Sequence, residues 1–270
     1  MSRTVAAALH AAAIPLREAR LLLQHVMGVS HAGLAAHPER LLTAAQQAQY
    51  GPLVARREAG EPVAYLLGER EFFGLAFEVT PAVLIPRPET ELLVELALAH
   101  AADRASRILD LGTGSGCVAV ALATQLPHAQ VTAVDAAPAA LDVARRNAAR
   151  HGVAVRFVHG DWFAPLEGEI FDLIVANPPY VATGDAHLRQ GDLRFEPVAA
   201  LASGVDGLDA LRRIVAAAPG HLAAGGRLLV EHGYDQAAAV AALLAGAAFV
   251  EIGHVEDLAG IPRVSGGRRP

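Results

Sequence analysis

The 270 residues are 53% hydrophobic and 19% charged. That is ample for a core and unlike a disordered chain, with room for one large domain or a catalytic domain and a smaller companion. The formal charge of −6 and the single cysteine, Cys117, argue against tight non-specific nucleic-acid binding, internal disulfides and cysteine-cluster metal sites. All 22 basic residues are arginine, which removes Walker A, Schiff-base and kinase-type lysines, and no apolar run nears the roughly 20 residues that span a bilayer, so a cytoplasmic chain with no membrane partner is expected.

The first 70 residues read as helices. Pro15, "LREARLLLQHVM" and Gly28 predict a helix closing at that glycine, with Leu16, Ala19, Leu22 and Val26 on one face. "TAAQ" at 43–46 has capping-box spacing and opens another helix, which Gly51-Pro52 is expected to kink or restart. No residue here carries evident chemistry, so the value of such a bundle would be recognition. The stretch "EFFGLAFEVTPAVLIP" (71–86) changes character: aromatic and β-branched residues alternate around Gly74 and Pro81, as in a short hairpin or extended connector.

From residue 87 onward strands and helices alternate: "RILDLG", a helix from about Gly116, "QVTAVD", a helix from about Pro138, "AVRFVHGD" and "FDLIVAN". "GRLLVEHG", a helix from Ala237 to Leu244 and "AFVEIGHVED" follow, and "RVSGGR" can add a final antiparallel strand. Apolar strands separated by amphipathic helices indicate an α/β domain with a parallel sheet covered on both faces. The polar stretch "GDAHLRQGD" (184–192) reads as mobile.

"ILDLGTGSG" places Gly112, Gly114 and Gly116, with Thr113 and Ser115 between them, directly after a strand and before a helix. Glycines there let the backbone turn sharply and aim N–H groups at a ligand. Asp135 ends the next strand, where a carboxylate can accept from both hydroxyls of a ribose. Asp161-Trp162 ends the third, where a carboxylate or backbone group can meet an adenine edge and the indole its face. Three ligand-type positions at successive strand ends describe one crevice for an adenosine-containing molecule, nicotinamide dinucleotide or S-adenosylmethionine (SAM). Asp110 suits the cationic amino group of a methionine moiety, and ordering the glycine loop explains it equally well.

"IVANPPYV" (174–181) ends a strand in Asn177, Pro178, Pro179 and Tyr180. A residue before proline is held extended and proline donates no N–H, so the stretch is a stiff rim with two acceptors, the Asn177 side-chain oxygen and the Pro178 carbonyl, beside the flat Tyr180 ring. Such a rim fits a planar –NH2 group, whose two donors meet the two acceptors. Positioning that nitrogen against an electrophilic methyl can contribute on the order of 7–11 kcal/mol, with no general base or metal demanded. A plain strand-terminating turn is the alternative for the motif taken alone. The twelve histidines show no metal-ligand spacing.

Taken together, "IPRPETE" (85–91), "ILDLGTGSG" (108–116), "GDWF" (160–163), "NPPYV" (177–181) and "RFEPVAAL" (194–201) resemble the release factor glutamine methyltransferases of the PrmC/HemK type, over nearly the whole chain. The resemblance implies a Rossmann-like class I SAM-dependent methyltransferase domain (87–270), with a mostly parallel seven-stranded sheet, preceded by a helical substrate-recognition domain (1–70) and a connector (71–86). It implies methyl transfer from SAM to the glutamine of the Gly-Gly-Gln motif in class I peptide chain release factors, without a metal or direct nucleic-acid contact. Gly112 to Gly116, Asp135, Asp161, Trp162 and Asn177 would hold SAM, and Asn177 to Tyr180 would grip the glutamine amide. Arg87 with Glu89 and Arg194 with Glu196 would brace loops over the site. A ribosomal-protein glutamine methyltransferase shares the NPPY site and the fold, and the "IPRPETE" and "RFEPVAAL" segments favour the release-factor reading. An adenine-N6 nucleic-acid methyltransferase shares the rim, but the basic groove it needs is not apparent.

Overall fold

The structure, a computed structural model, describes residues 3–101 and 106–270. The chain divides into two compact units after Glu69.

The first unit is helical: α1 (Val5–Ala11), α2 (Leu16–Met27), α3 (His31–Ala36), α4 (Ala44–Glu58) and α5 (Val63–Leu67). Side-chain caps start α1 at Thr4 and α3 at Ser30, and Gly28 closes α2 in the left-handed region, where glycine costs least. Leu22, Leu23, Tyr50, Val54 and Leu66 fill its core. Two expectations are corrected. Leu16 is 50% exposed and borders a surface groove with His10, Arg20 and His31; Leu23 takes its place in the buried stripe. Helix α4 does not restart at Gly51-Pro52 but runs through Pro52. The ring removes the N–H that would bond the Ala48 carbonyl, but Ala48, Gly51 and Pro52 are all exposed, so water can serve that oxygen. The Thr43–Gln46 capping box on one side and buried Tyr50 and Val54 around the break hold the helix together.

The second unit begins at Arg70, within a hairpin of β1 (Glu69–Phe72) and β2 (Leu75–Glu78) that turns at Phe73 and Gly74, both with positive φ. After α6 (Glu91–Ala101) come β3 (Arg107–Leu111), α7 (Cys117–Gln125), β4 (Gln130–Asp135), α8 (Pro138–Arg150), β5 (Arg156–His159) and β6 (Phe171–Ala176). Then follow α9 (Asp209–Ala217), β7 (Leu222–Glu231), α10 (Ala237–Gly246), β8 (Val250–Glu256) and β9 (Pro262–Arg268). The segment expected to be mobile is folded as two 3-10 turns, Ala186–Arg189 and Gly191–Phe195, the first capped by Asp185.

Seven strands form one sheet in the order β5-β4-β3-β6-β7-β9-β8. Pairing is parallel from β5 through β7, and β9 runs antiparallel to both of its neighbours. Successive residues of each central strand serve opposite cores. Ile108, Val131, Leu173 and Val175 pack with α6 and α7 on one face, and Leu109, Val134, Ile174 and Val230 pack with α9 and α10 on the other. Strands covered on both faces carry few polar residues, which is why they read as mostly apolar runs, broken at positions such as Asp110 and Thr132.

Candidate active site

From β3 the chain winds outward to β4 and β5, then returns to pair β6 on the other side of β3. The carboxyl ends of β3 and β6 therefore flank a topological switch point, where open α/β sheets bind ligands. Gly112 follows β3, Asp135 ends β4 and Asn177 follows β6, so the register alone brings three of the expected residues to one crevice.

Gly112, Gly114 and Gly116 have φ of +73°, +56° and +80°, conformations that side chains resist. A Cβ at Gly112 would lie 3.2 Å from the Trp162 ring, and one at Gly116 would lie 3.0 Å from Ala144 on α8. The loop is pinned from behind. Gly112 and Thr113 donate their N–H groups to the Val134 carbonyl at 2.9 and 3.0 Å, and the fully buried Asn147 amide donates to the Ser115 and Glu78 carbonyls. The Thr113 hydroxyl donates to Asp110 at 2.6 Å. Asp110 is 2% exposed, and burial pushes its pKa up to about 7 against the pull of that hydrogen bond. Of its two readings, the geometry displays the bracing of the loop.

Asp135 accepts from the Gly114 N–H through Oδ2 and from the Ala137 N–H through Oδ1, both at 2.8 Å. Each oxygen keeps a lone pair for a hydroxyl donor. Asp135, Gly112, Gly114, Asp161, Trp162, Asn177 and Pro179 line a cavity of about 310 Å³, within the range of small-ligand sites. The Asp161 carboxylate also pairs with Arg213 of α9 at 2.5 Å. Thr113, Ser115, Gly116, Pro178 and Tyr180, also expected in the site, are not among the residues that line this cavity. Residues 82–84 and Pro197, Ala199 and Ala200 also line the cavity. Buried Glu196 joins these two segments by accepting from the Ile85 N–H at 3.0 Å and pairing with Arg87.

Behind the proline rim lie residues that sequence reasoning missed. Asn177 Nδ2 meets the hydroxyl oxygen of buried Thr90 at 3.0 Å. The Tyr180 hydroxyl donates to Glu231 at 3.3 Å, and Gln236 Nε2 donates to the Tyr180 carbonyl at 3.0 Å. Thr90 belongs to "IPRPETE", and Glu231 ends its strand as Asp135 does; that repeated position was the available signal. Buried His232 is consumed structurally between the Gly233 carbonyl and the Ser265 hydroxyl. Among the described residues no group of three or more His, Cys, Asp or Glu could hold a metal ion, and no helix is long and apolar enough to cross a membrane.

The glycine cradle, the ribose-height carboxylate and the half-buried indole fit SAM, and fold and site together define the class I SAM-dependent methyltransferases. Residues 2–68 match the PrmC N-terminal domain family and residues 88–193 the Methyltransferase small domain family. A release factor glutamine methyltransferase of Burkholderia pseudomallei is 53% identical over 99% of this chain and 96% of its own length. One of Bordetella pertussis is 55% identical over 94% and 95%. The chain belongs to the release factor glutamine methyltransferase family. Solved structures agree on the fold. A T. thermophilus 16S rRNA methyltransferase in complex with AdoMet and guanosine has a TM-score of 0.58 at 21% identity, over 75% of this chain and 50% of that one. A Pyrococcus furiosus methyltransferase has 0.56 at 20%, over 80% and 96%.

Proposed function

We propose that this enzyme methylates the side-chain amide nitrogen of the glutamine in the Gly-Gly-Gln motif of class I peptide chain release factors, in the cytoplasm. The observation that carries the reading is Asn177: its Nδ2 is committed to Thr90, while Oδ1 accepts no hydrogen bond among the described residues and the side chain lines the cavity beside the glycine loop. Family membership supports the choice of glutamine over other planar amines.

SAM, when bound, supplies a methyl group made electrophilic by its sulfonium sulfur. Gly112 to Gly116 would form its cradle, Asp135 would accept from its ribose hydroxyls, Asp161 would meet its adenine edge, and Trp162 would pack beside the ring. Asn177 Oδ1 and the Pro178 carbonyl accept the two amide protons, which turns the nitrogen lone pair toward the methyl and stabilises the positive charge that grows on nitrogen. Pro179 keeps the rim rigid, and Tyr180, held by Glu231 and Gln236, backs it. The extra proton leaves after transfer, so no group needs to act as a base beforehand. Residues 1–70 take the role of binding the release factor surface, residues 71–86 connect, and residues 87–270 catalyse.

Incubating the protein with SAM and purified release factor, then locating the added methyl by mass spectrometry, tests the reading. A methyl on the Gly-Gly-Gln glutamine is expected. A methyl on a ribosomal protein or nucleic acid in parallel incubations, with the release factor unmodified, would overturn it.

A further inference from the structure

Glu231 closes β7 beside the catalytic rim. The parallel register pairs Ala176 with Val230, so the next step along both strands sets Asn177 next to Glu231. The carboxyl is 1% exposed. Its Oε1 accepts from Tyr180, and its Oε2 makes no hydrogen bond of good geometry among the described residues. A buried carboxyl with a spare oxygen is costly, and an apolar side chain would fill the space at no such cost. The Thr90 hydroxyl, which already meets Asn177, makes no hydrogen bond of good geometry to Glu231, but as its neighbour it favours the ionised carboxylate, as Tyr180 does.

A hydroxyl both donates and accepts, so Thr90 alone could hold either end of the Asn177 amide. With the amide nitrogen toward Thr90, Oδ1 faces the cavity and receives a substrate N–H. With the oxygen toward Thr90, an –NH2 group would confront the substrate –NH2 and the rim would repel what it should bind. An anion at Glu231 breaks this tie. It draws the Thr90 proton to itself and leaves the Thr90 lone pairs for Asn177 Nδ2.

We propose that ionised Glu231 is a positioning residue that sets the direction of a hydrogen-bond relay through Thr90 to Asn177, turning Asn177 Oδ1 toward the substrate nitrogen. The inference rests on the function proposed above. Hydrogen bonds in such a chain polarise one another, so the negative charge is felt at Oδ1, where it opposes the positive charge growing on the attacking nitrogen.

The groups around Glu231 come from several elements. Tyr180 follows β6, Glu89 and Thr90 precede α6, Arg263 lies on β9, and Cys117 begins α7. Glu89 raises the Glu231 pKa and Arg263 lowers it, while burial dominates and pushes it up to about 7. The Cys117 thiol, pushed up to about 12 by burial, stays neutral. Protonated Glu231 could itself donate to Thr90, freeing the hydroxyl to hold the wrong end of Asn177. Turnover should therefore rise as pH passes upward through about 7. Asp110 titrates in the same region, so the comparison of variant with wild type isolates Glu231.

The test measures kcat for release factor methylation against pH, SAM affinity and melting temperature for wild type, E231Q, T90V, T90S and E231Q/T90V. E231Q should lower kcat by about 10- to 100-fold, the scale of a disturbed reacting geometry, and flatten the rise near neutrality while SAM affinity and melting temperature change little. T90V should match it, T90S should retain activity, and the double variant should be no worse than the poorer single, because both act in one relay. Wild-type kcat with an unchanged pH profile in E231Q would overturn the relay, and so would a loss that merely follows unfolding. A wild-type protein that leaves the release factor unmethylated would overturn the proposed function instead.

Discussion

In the proposed function Asn177 works by what it does not bond: with Nδ2 on Thr90, its oxygen is left for substrate. Asn177→Ala should lower kcat by about 10²–10³, the usual cost of one preorganised partner of a developing charge, in single-turnover methylation. SAM affinity in a direct binding assay should change far less. Asn147 is a purely structural counterpart. It accepts from the Glu78 N–H at 2.7 Å and donates to the Glu78 and Ser115 carbonyls, tying hairpin and glycine loop to α8. Asn147→Ala strands these groups at roughly 1–3 kcal/mol apiece, so thermal melting should come earlier and SAM affinity should fall as the loop loosens. Gly112, Asp135 and Asn177 were legible in the sequence because their chemistry coincides with a strand end. Thr90 and Glu231 were not, because a hydroxyl and a carboxylate acquire their meaning only when sheet register and burial bring them behind the rim.

Helix α4 shows that a local rule can be outvoted. Proline in a helix interior costs about 3 kcal/mol relative to alanine, yet α4 continues through Pro52 because the orphaned carbonyl faces water and buried neighbours fix both halves. Pro52→Ala restores the missing bond while giving back the restriction proline places on the unfolded chain, about 0.4–1 kcal/mol. The helical unit should therefore gain up to roughly 2–2.6 kcal/mol, read as a higher melting temperature of the full chain. The strands were the most legible elements, since β3, β4 and β6 are packed on both faces and are mostly apolar. The α2 stripe was legible only in part: periodicity named the face, but it could not show that Leu16 sits at the rim of a groove and Leu23 inside the core.

At the scale of the molecule, two buried carboxyls link stability to pH. Asp110 and Glu231 are each pushed up to about 7, whereas unfolded carboxyls titrate near 4. Between those values the folded state binds more protons than the unfolded one, so unfolding free energy falls as pH rises through this window and levels off above it. Carboxylates lowered by arginine partners, such as Glu78 and Glu169, act with the opposite sign, below roughly pH 4.5. Calorimetric melting of wild type against E231Q from about pH 5 to about pH 8 should show a shallower decline in the variant, by the share of one titrating group. The sheet's parallel half was legible from the alternation of strands and helices, and its far edge only as an antiparallel strand of unknown place. That place matters for how the protein is made. Strand β9 emerges from the ribosome after β8, yet it lies between β7 and β8, with Val264 paired to Glu231. Until it arrives, β7 and β8 each expose an unpaired edge open to other chains. A nascent chain can therefore possess every residue proposed to hold SAM from Gly112 to Trp162 while the strand that carries Glu231 still lacks its neighbour.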